Sequence, residues 1–120
     1  MQRKLIRWWR MKCGEFGVPE CLLFSIPNGG GGGEKRGHWL KLEGCRKGAC
    51  DLVLAVARMA GSHAFFDEGH HALFLELKTE TGRISAEQLQ FHEALRAAGY
   101  KVEVVRSFDQ GVETITNYLK

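Results

Sequence analysis

Ala72-Leu73-Phe74-Leu75-Glu76-Leu77-Lys78 alternates with a period of two, which puts Leu73, Leu75 and Leu77 on one side of an extended chain and Phe74, Glu76 and Lys78 on the other. The leucine side is that of a strand lying on a core. The other side sets a carboxylate and an ammonium next to each other on an otherwise apolar strand, where burial is costly unless they pair with each other, with a metal or with a substrate. Upstream, Cys50-Asp51-Leu52-Val53-Leu54-Ala55-Val56-Ala57 is apolar apart from Asp51 and predicts a central strand covered on both faces. The polar stretch 60–69 between the two runs favours a hairpin, which brings Asp51 within a few ångströms of Glu76. Two carboxylates that close repel unless a cation sits between them.

Downstream of this pair, residues 85–98 predict the clearest helix in the chain, with Ser85 and Gln88 at capping-box spacing and Gly99 at its end. Residues 101–106 alternate around Val102, Val104 and Val105 as a further strand, parallel to its partner through that helix, and Val112, Ile115 and Leu119 predict a last helix. Upstream, residues 3–12 carry Leu5, Trp8 and Trp9 at helical spacing, and Gly14, Gly17 and Pro19 stop them. Cys21-Leu22-Leu23-Phe24-Ser25-Ile26 reads as a short buried strand closed by Pro27-Asn28-Gly29. Residues 34–43 read as a short helix with His38, Trp39 and Leu42 as its apolar contacts and Gly44 as its terminator. The order α-β-α-β-β-α-β-α predicts an α/β fold, a three-layer mixed sheet flanked by helices, and 120 residues fit one domain over 1–120.

Charged residues are 26% and apolar residues 44%, a balance that excludes collagen-like or wholly disordered architecture. The longest uncharged stretch, 21–33, ends in five glycines and falls short of the roughly 18 to 20 apolar residues of a membrane span. The basic, aromatic start lacks a signal-peptide core, so a cytoplasmic location is expected, with Cys13, Cys21, Cys45 and Cys50 as reduced thiols. Cys45 and Cys50 stand at the C-x₄-C limit of a zinc knuckle, but Cys13 and Cys21, eight apart, form no second knuckle to complete a site with His38, His63, His70 or His71, so buried free thiols are favoured over zinc. Trp8, Trp9 and Trp39 are read as core or dimer contacts. Net charge is only +3, but Arg3, Lys4, Arg7, Arg10 and Lys12 run without an acid, and Lys35, Arg36, Lys41, Arg46 and Lys47 cluster further on. Either stretch would face a polyanion or form a solvated basic surface. The glycine run lacks the Gly-Lys-Ser/Thr of a phosphate loop, which argues against a nucleotide cofactor. Its glycines would let Asn28, Lys35 and Arg36 approach a DNA backbone, with Lys41 on a neighbouring phosphate; a plain linker and solvated charge are the alternatives.

Oxygen ligands from Asp51, Glu76 and the Leu77 carbonyl would suit a hard cation such as Mg²⁺ or Mn²⁺. Lys78 would then orient the attacking water and offset charge on a pentacovalent phosphorus, with Gln88 holding the nucleophile or Lys78. Taken with Ile26-Pro27-Asn28-Gly29-Gly30, Leu40-Lys41-Leu42-Glu43-Gly44, Gly48-Ala49-Cys50-Asp51-Leu52, Leu75-Glu76-Leu77-Lys78, Gly82-Arg83-Ile84-Ser85-Ala86-Glu87-Gln88 and Gly99-Tyr100-Lys101-Val102, the chain resembles a virus-type replication-repair nuclease (VRR-NUC) domain of the PD-(D/E)xK superfamily. The likeness runs from about Gln2 to Leu119. It implies a restriction-endonuclease-like fold, metal ligation by Asp51, Glu76 and the Leu77 carbonyl, a catalytic Lys78 and a supporting Gln88. Small stand-alone members are phage or bacterial homodimers resembling endonucleases of branched DNA such as four-way junctions. The chain departs from the pattern in having Cys50 where the family has Pro before its aspartate, which removes a fixed φ but no carboxylate. A first-helix glutamate of many members also has no counterpart here, and neither Glu15 nor Glu20 has a clear claim to replace it, which weakens a second metal without abolishing the first. Two other readings make different predictions: a DNA-binding module that keeps the fold without turnover, and a zinc-stabilised interaction domain that unfolds on chelation.

Overall fold

The computed structural model describes residues 1–27, 38–39, 41–59 and 69–120. Helix α1 (Gln2–Lys12) buries Leu5 and Trp9 on one stripe and places Arg10 and Lys12 in its last turn, where cations favour the helix dipole. A 3₁₀ turn at Cys13–Phe16 ends in Gly17, whose φ of +69° suits glycine. The Trp9 indole N–H then donates to the Glu20 carbonyl at 2.8 Å, fixing the path into strand β1 (Leu23–Ser25).

Strand β1 pairs antiparallel with β2 (Leu52–Leu54), β2 antiparallel with β3 (Leu73–Leu77), and β3 parallel with β4 (Lys101–Val105), in the spatial order β1-β2-β3-β4. Helix α2 (Ala86–Ala97) makes the crossover between β3 and β4, and α3 (Phe108–Leu119) follows. Both helices open on serine caps. Ser85 and Gln88 form the reciprocal capping box that their spacing predicts, and the Ser107 hydroxyl accepts from Gln110 N at 3.1 Å.

The register decides which side chains share a face. Leu52 lies opposite Leu75 and Leu54 opposite Leu73, and these leucines join Leu5, Trp9, Val105, Ile115 and Tyr118 in one apolar core under α1 and α3. Val53 and Val102 flank Phe74, and Val104 flanks Glu76, on the opposite face, where α2 packs and buries His92. Helices therefore flank a mixed sheet, as the element order predicts.

Three details differ from the sequence reading. The buried strand expected over 21–26 is a 3₁₀ turn at Glu20–Leu22 followed by the three residues of β1, and as the edge of the sheet β1 buries Leu23 but leaves Phe24 and Ser25 exposed. The strand expected over 50–57 shrinks to three residues, because Val56 N turns back to donate to the Leu54 carbonyl at 2.9 Å, and pairing resumes only at the Arg58–His70 bridge. Trp39 and Leu42, expected as apolar contacts, are 62% and 66% exposed, and His38 is exposed too. Lys41 and, past the end of the helix, Cys45 line the groove against α2 in their place. Gly44, at φ +97°, ends this segment as expected. The remainder of the 34–43 segment and most of the 60–69 loop lie outside the described residues.

Candidate active site

Asp51 stands immediately before β2 and takes part in the β3 ladder twice. Its backbone N–H donates to the Leu75 carbonyl at 3.0 Å, and its Oδ2 accepts the Leu77 N–H at 2.7 Å. The side-chain hydrogen bond locks the carboxylate to the β3 backbone between Glu76 and Lys78. Glu76 is 1% exposed and faces α2, where its Oε1 lies 3.2 Å from His92 Nε2. Burial lowers the His92 pKa first, helped by the charges of Arg96 and Lys78, so this contact joins Glu76 to a neutral imidazole as a hydrogen bond rather than an ion pair.

Burial also pushes the Glu76 carboxyl up to about 8, and hydrogen bonding to Asp51 and the charge of that neighbour add to the rise, with Lys78 opposing. Lys78 is half-buried at the end of β3, anchored by its N–H on the Val105 carbonyl at 2.9 Å. The Cys50 thiol, wholly buried, is pushed up to about 12 by burial and then by Glu76 and Asp51, with Arg96 opposing. Two acids thus stand side by side next to a lysine.

This arrangement lies on a chain that the VRR-NUC domain profile matches over residues 5–109. The chain belongs to the VRR-NUC family. A solved structure titled "VRR_NUC domain protein" is similar to it with 22% identity and a TM-score of 0.75, over 98% of this chain and 83% of the other. That likeness concerns the fold. No curated protein matches the chain. Membership in VRR-NUC gives a nuclease-type function with DNA as its substrate. Among the described residues, no helix is long and apolar enough to cross a membrane.

The donor chemistry of this VRR-NUC site fits a hard divalent cation: Asp51 and Glu76 supply carboxylate oxygens side by side, and the repulsion between them is what such a cation relieves. Gln88 serves the predicted cap: its Oε1 accepts the Ser85 N–H at 2.9 Å, which leaves its amide N–H groups and the second lone pair of the oxygen for other partners.

Of the residues expected to meet DNA, Asn28, Lys35 and Arg36 lie outside the described residues. Lys41, Arg46 and Lys47 line one groove of about 450 Å³ together with Glu87, Gln90 and Phe91 of α2. Phe91 is half-buried there instead of facing the core. Lys47 Nζ pairs with Glu87 at 3.5 Å on the exposed rim. Gly48 holds this segment against α2: it has φ +91°, and a Cβ there would lie 2.7 Å from the Glu87 carbonyl group. The α1 basic run is partly spoken for, since Arg10 pairs with Glu20 at 3.2 Å, Lys12 with Glu15 at 3.5 Å, and Lys4 Nζ sits 4.6 Å from the Phe108 ring centroid.

The sequence reading passed over His92 and saw Cys50 only as a buried thiol. The available signal was spacing: His92 falls four residues after Gln88, on the helix stripe that continues to Leu95. The expectation of buried free thiols holds for Cys13 and Cys50 and is corrected for Cys21, which is exposed, and Cys45, which is half-exposed.

Proposed function

We propose that this chain is a divalent-metal-dependent endodeoxyribonuclease that hydrolyses phosphodiester bonds in branched DNA such as four-way junctions. The observation that carries the reading is the Asp51 carboxylate seated on the Leu77 N–H beside the buried Glu76, with Lys78 next in the strand. Asp51, Glu76 and the Leu77 carbonyl would hold Mg²⁺ or Mn²⁺. When bound, such a cation supplies Lewis acidity and neutralises negative charge near the scissile phosphate. Lys78 orients the attacking water for in-line displacement and offsets the charge that builds on the phosphorane oxygens. The Gln88 amide, held at the α2 N-terminus by its own cap, steadies that water or the Lys78 ammonium. Lys41, Arg46 and Lys47 hold the DNA backbone along the groove beside α2. A homodimer would present two such sites about a two-fold axis, matching paired strands of a junction.

The test is cleavage of a labelled four-way junction beside flap and linear duplexes, with Mg²⁺, with Mn²⁺ and with EDTA. Wild type is expected to cut only with metal and to prefer the junction. Lys78→Ala is expected to bind the junction while losing at least about 100-fold in rate, the scale of an electrostatic transition-state contact. Binding by wild type without cleavage under any metal would replace this reading with that of a DNA-binding module.

A further inference from the structure

Glu76 belongs to a second cluster of buried ligand-type side chains besides its pairing with Asp51. Cys50, Glu76 and His92 are all buried, and one ligand atom from each, a thiol sulfur, a carboxylate oxygen and an imidazole nitrogen, lies within 4.8 Å of the other two. Sulfur and nitrogen donors select against Mg²⁺ and for borderline or soft cations. Zinc bonds of about 2.0 to 2.3 Å give tetrahedral ligand edges of roughly 3.3 to 3.8 Å. The His92–Glu76 edge is already 3.2 Å, and the Cys50 sulfur, within 4.8 Å of both, must move closer by about 1 Å at most to complete the triangle. The three residues come from separate places in the chain: Cys50 just before β2, Glu76 within β3 and His92 from α2. Cysteine spacing alone therefore gives no sign of them.

We propose that Cys50, Glu76 and His92 form a binding site for a thiophilic divalent cation of the zinc class, and that its occupancy draws Glu76 away from the Asp51 side. On binding, the Cys50 thiol gives up its proton to solvent and the imidazole keeps its Nε2 lone pair for the cation. The second half of the proposal rests on the nuclease reading above, because the residue being drawn away is one of the two carboxylates assigned to the hard cation. Zinc would then be an inhibitor that takes one of the two carboxylates from the active site.

Cobalt(II) replaces zinc and reports thiolate ligation by a near-ultraviolet charge-transfer band, so the full-length protein would be titrated with Co²⁺ alone. One Co²⁺ per chain is expected to give that band, to lose it in Cys50→Ala, to bind roughly tenfold or more weakly in His92→Gln, and to keep it in a Cys21→Ser/Cys45→Ser variant. No band in wild type, or a band that survives Cys50→Ala in a protein with native circular dichroism, would overturn the site. Junction cleavage in Mg²⁺ would then be compared with and without one equivalent of Zn²⁺, reading the ratio of rates within each protein. A ratio of about ten or more in wild type that collapses toward one in Cys50→Ala supports competition for Glu76. A cobalt band with no effect of zinc on cleavage overturns the competition. Wild type that never cuts in Mg²⁺ counts against the nuclease reading, while the cobalt spectrum still decides the cation site.

Discussion

Glu76 is the residue whose environment has the most consequence for stability. Its carboxyl ordinarily titrates near 4.5, and in the folded chain it titrates near 8, because burial and the Asp51 neighbour disfavour the charged form. A raised acid pKa means that the folded state holds a proton that the unfolded state has released. The stabilisation is complete below about 4.5 and is lost as pH rises toward 8. Metal-free protein in EDTA is therefore expected to melt at progressively lower temperature between pH 5 and pH 8, and Glu76→Gln to flatten that profile. A wild-type profile that is flat over this range would show that burial and Asp51 together do not hold the proton on Glu76. The pairing of Asp51, Glu76 and Lys78 was legible in the sequence because strand alternation and hairpin pairing are local rules. The His92 contact was not, since it depends on how α2 rotates onto the sheet, which the composition of the helix leaves open. Gln88 carried two signals at once, and the structure gives its side-chain oxygen to the cap.

Helix α2 is capped by its own Ser85 and Gln88 and is held to the rest of the fold by buried His92, by Arg96, whose guanidinium donates to the Val102 carbonyl at 3.0 Å, and by the close approach of Gly48. Ser85→Ala is expected to cost about 1 kcal/mol of stability by urea denaturation, the usual value of a lost serine cap. Gly48→Ala is expected to cost more, because it combines a positive φ with a Cβ placed 2.7 Å from the Glu87 backbone, and neither can relax through a flexible side chain. Equal losses for the two variants would show that the Gly48 segment yields easily. The same contact explains why Trp39 and Leu42 were misread. Hydrophobic spacing names them as the inward stripe, whereas the approach of Gly48 turns Lys41 and Cys45 toward α2. Strand β2 was over-extended for a related reason: eight apolar residues look alike until one backbone N–H folds back on the strand.

Across the whole molecule the two faces of the sheet do different work. The α1–α3 side is a closed apolar core, fitted so closely that a Cβ on Gly111 would sit 3.0 Å from Leu5. The α2 side carries the acids, the lysine and the basic groove. DNA binding should therefore depend on the second side. Lys41→Ala with Arg46→Ala is expected to lower the salt dependence of junction binding by roughly 0.9 for each phosphate contact removed, as read from affinity against salt concentration. Arg10→Ala with Lys12→Ala, whose charges already meet Glu20 and Glu15, is expected to leave that slope nearly unchanged. The reverse ranking would move the DNA path to α1. The fold class was legible in the order of elements, since period-two runs alternating with helical ones allow few topologies. Which basic cluster stays available was not, because ion pairing is settled by side chains that meet only after folding.

The sheet register also has a kinetic side. Of the three strand pairings, β2 with β3 closes the shortest length of chain, from Leu54 to Leu73, so it carries the smallest entropic penalty for an early encounter. Asp51 and Glu76 each lie one residue beyond that pairing, opposite each other in its register, which means that closing it presses the two acids together. Charge repulsion between them then acts on the folding barrier as well as on the finished protein, and the chain collapses fastest in solutions where one of the two acids still holds its proton.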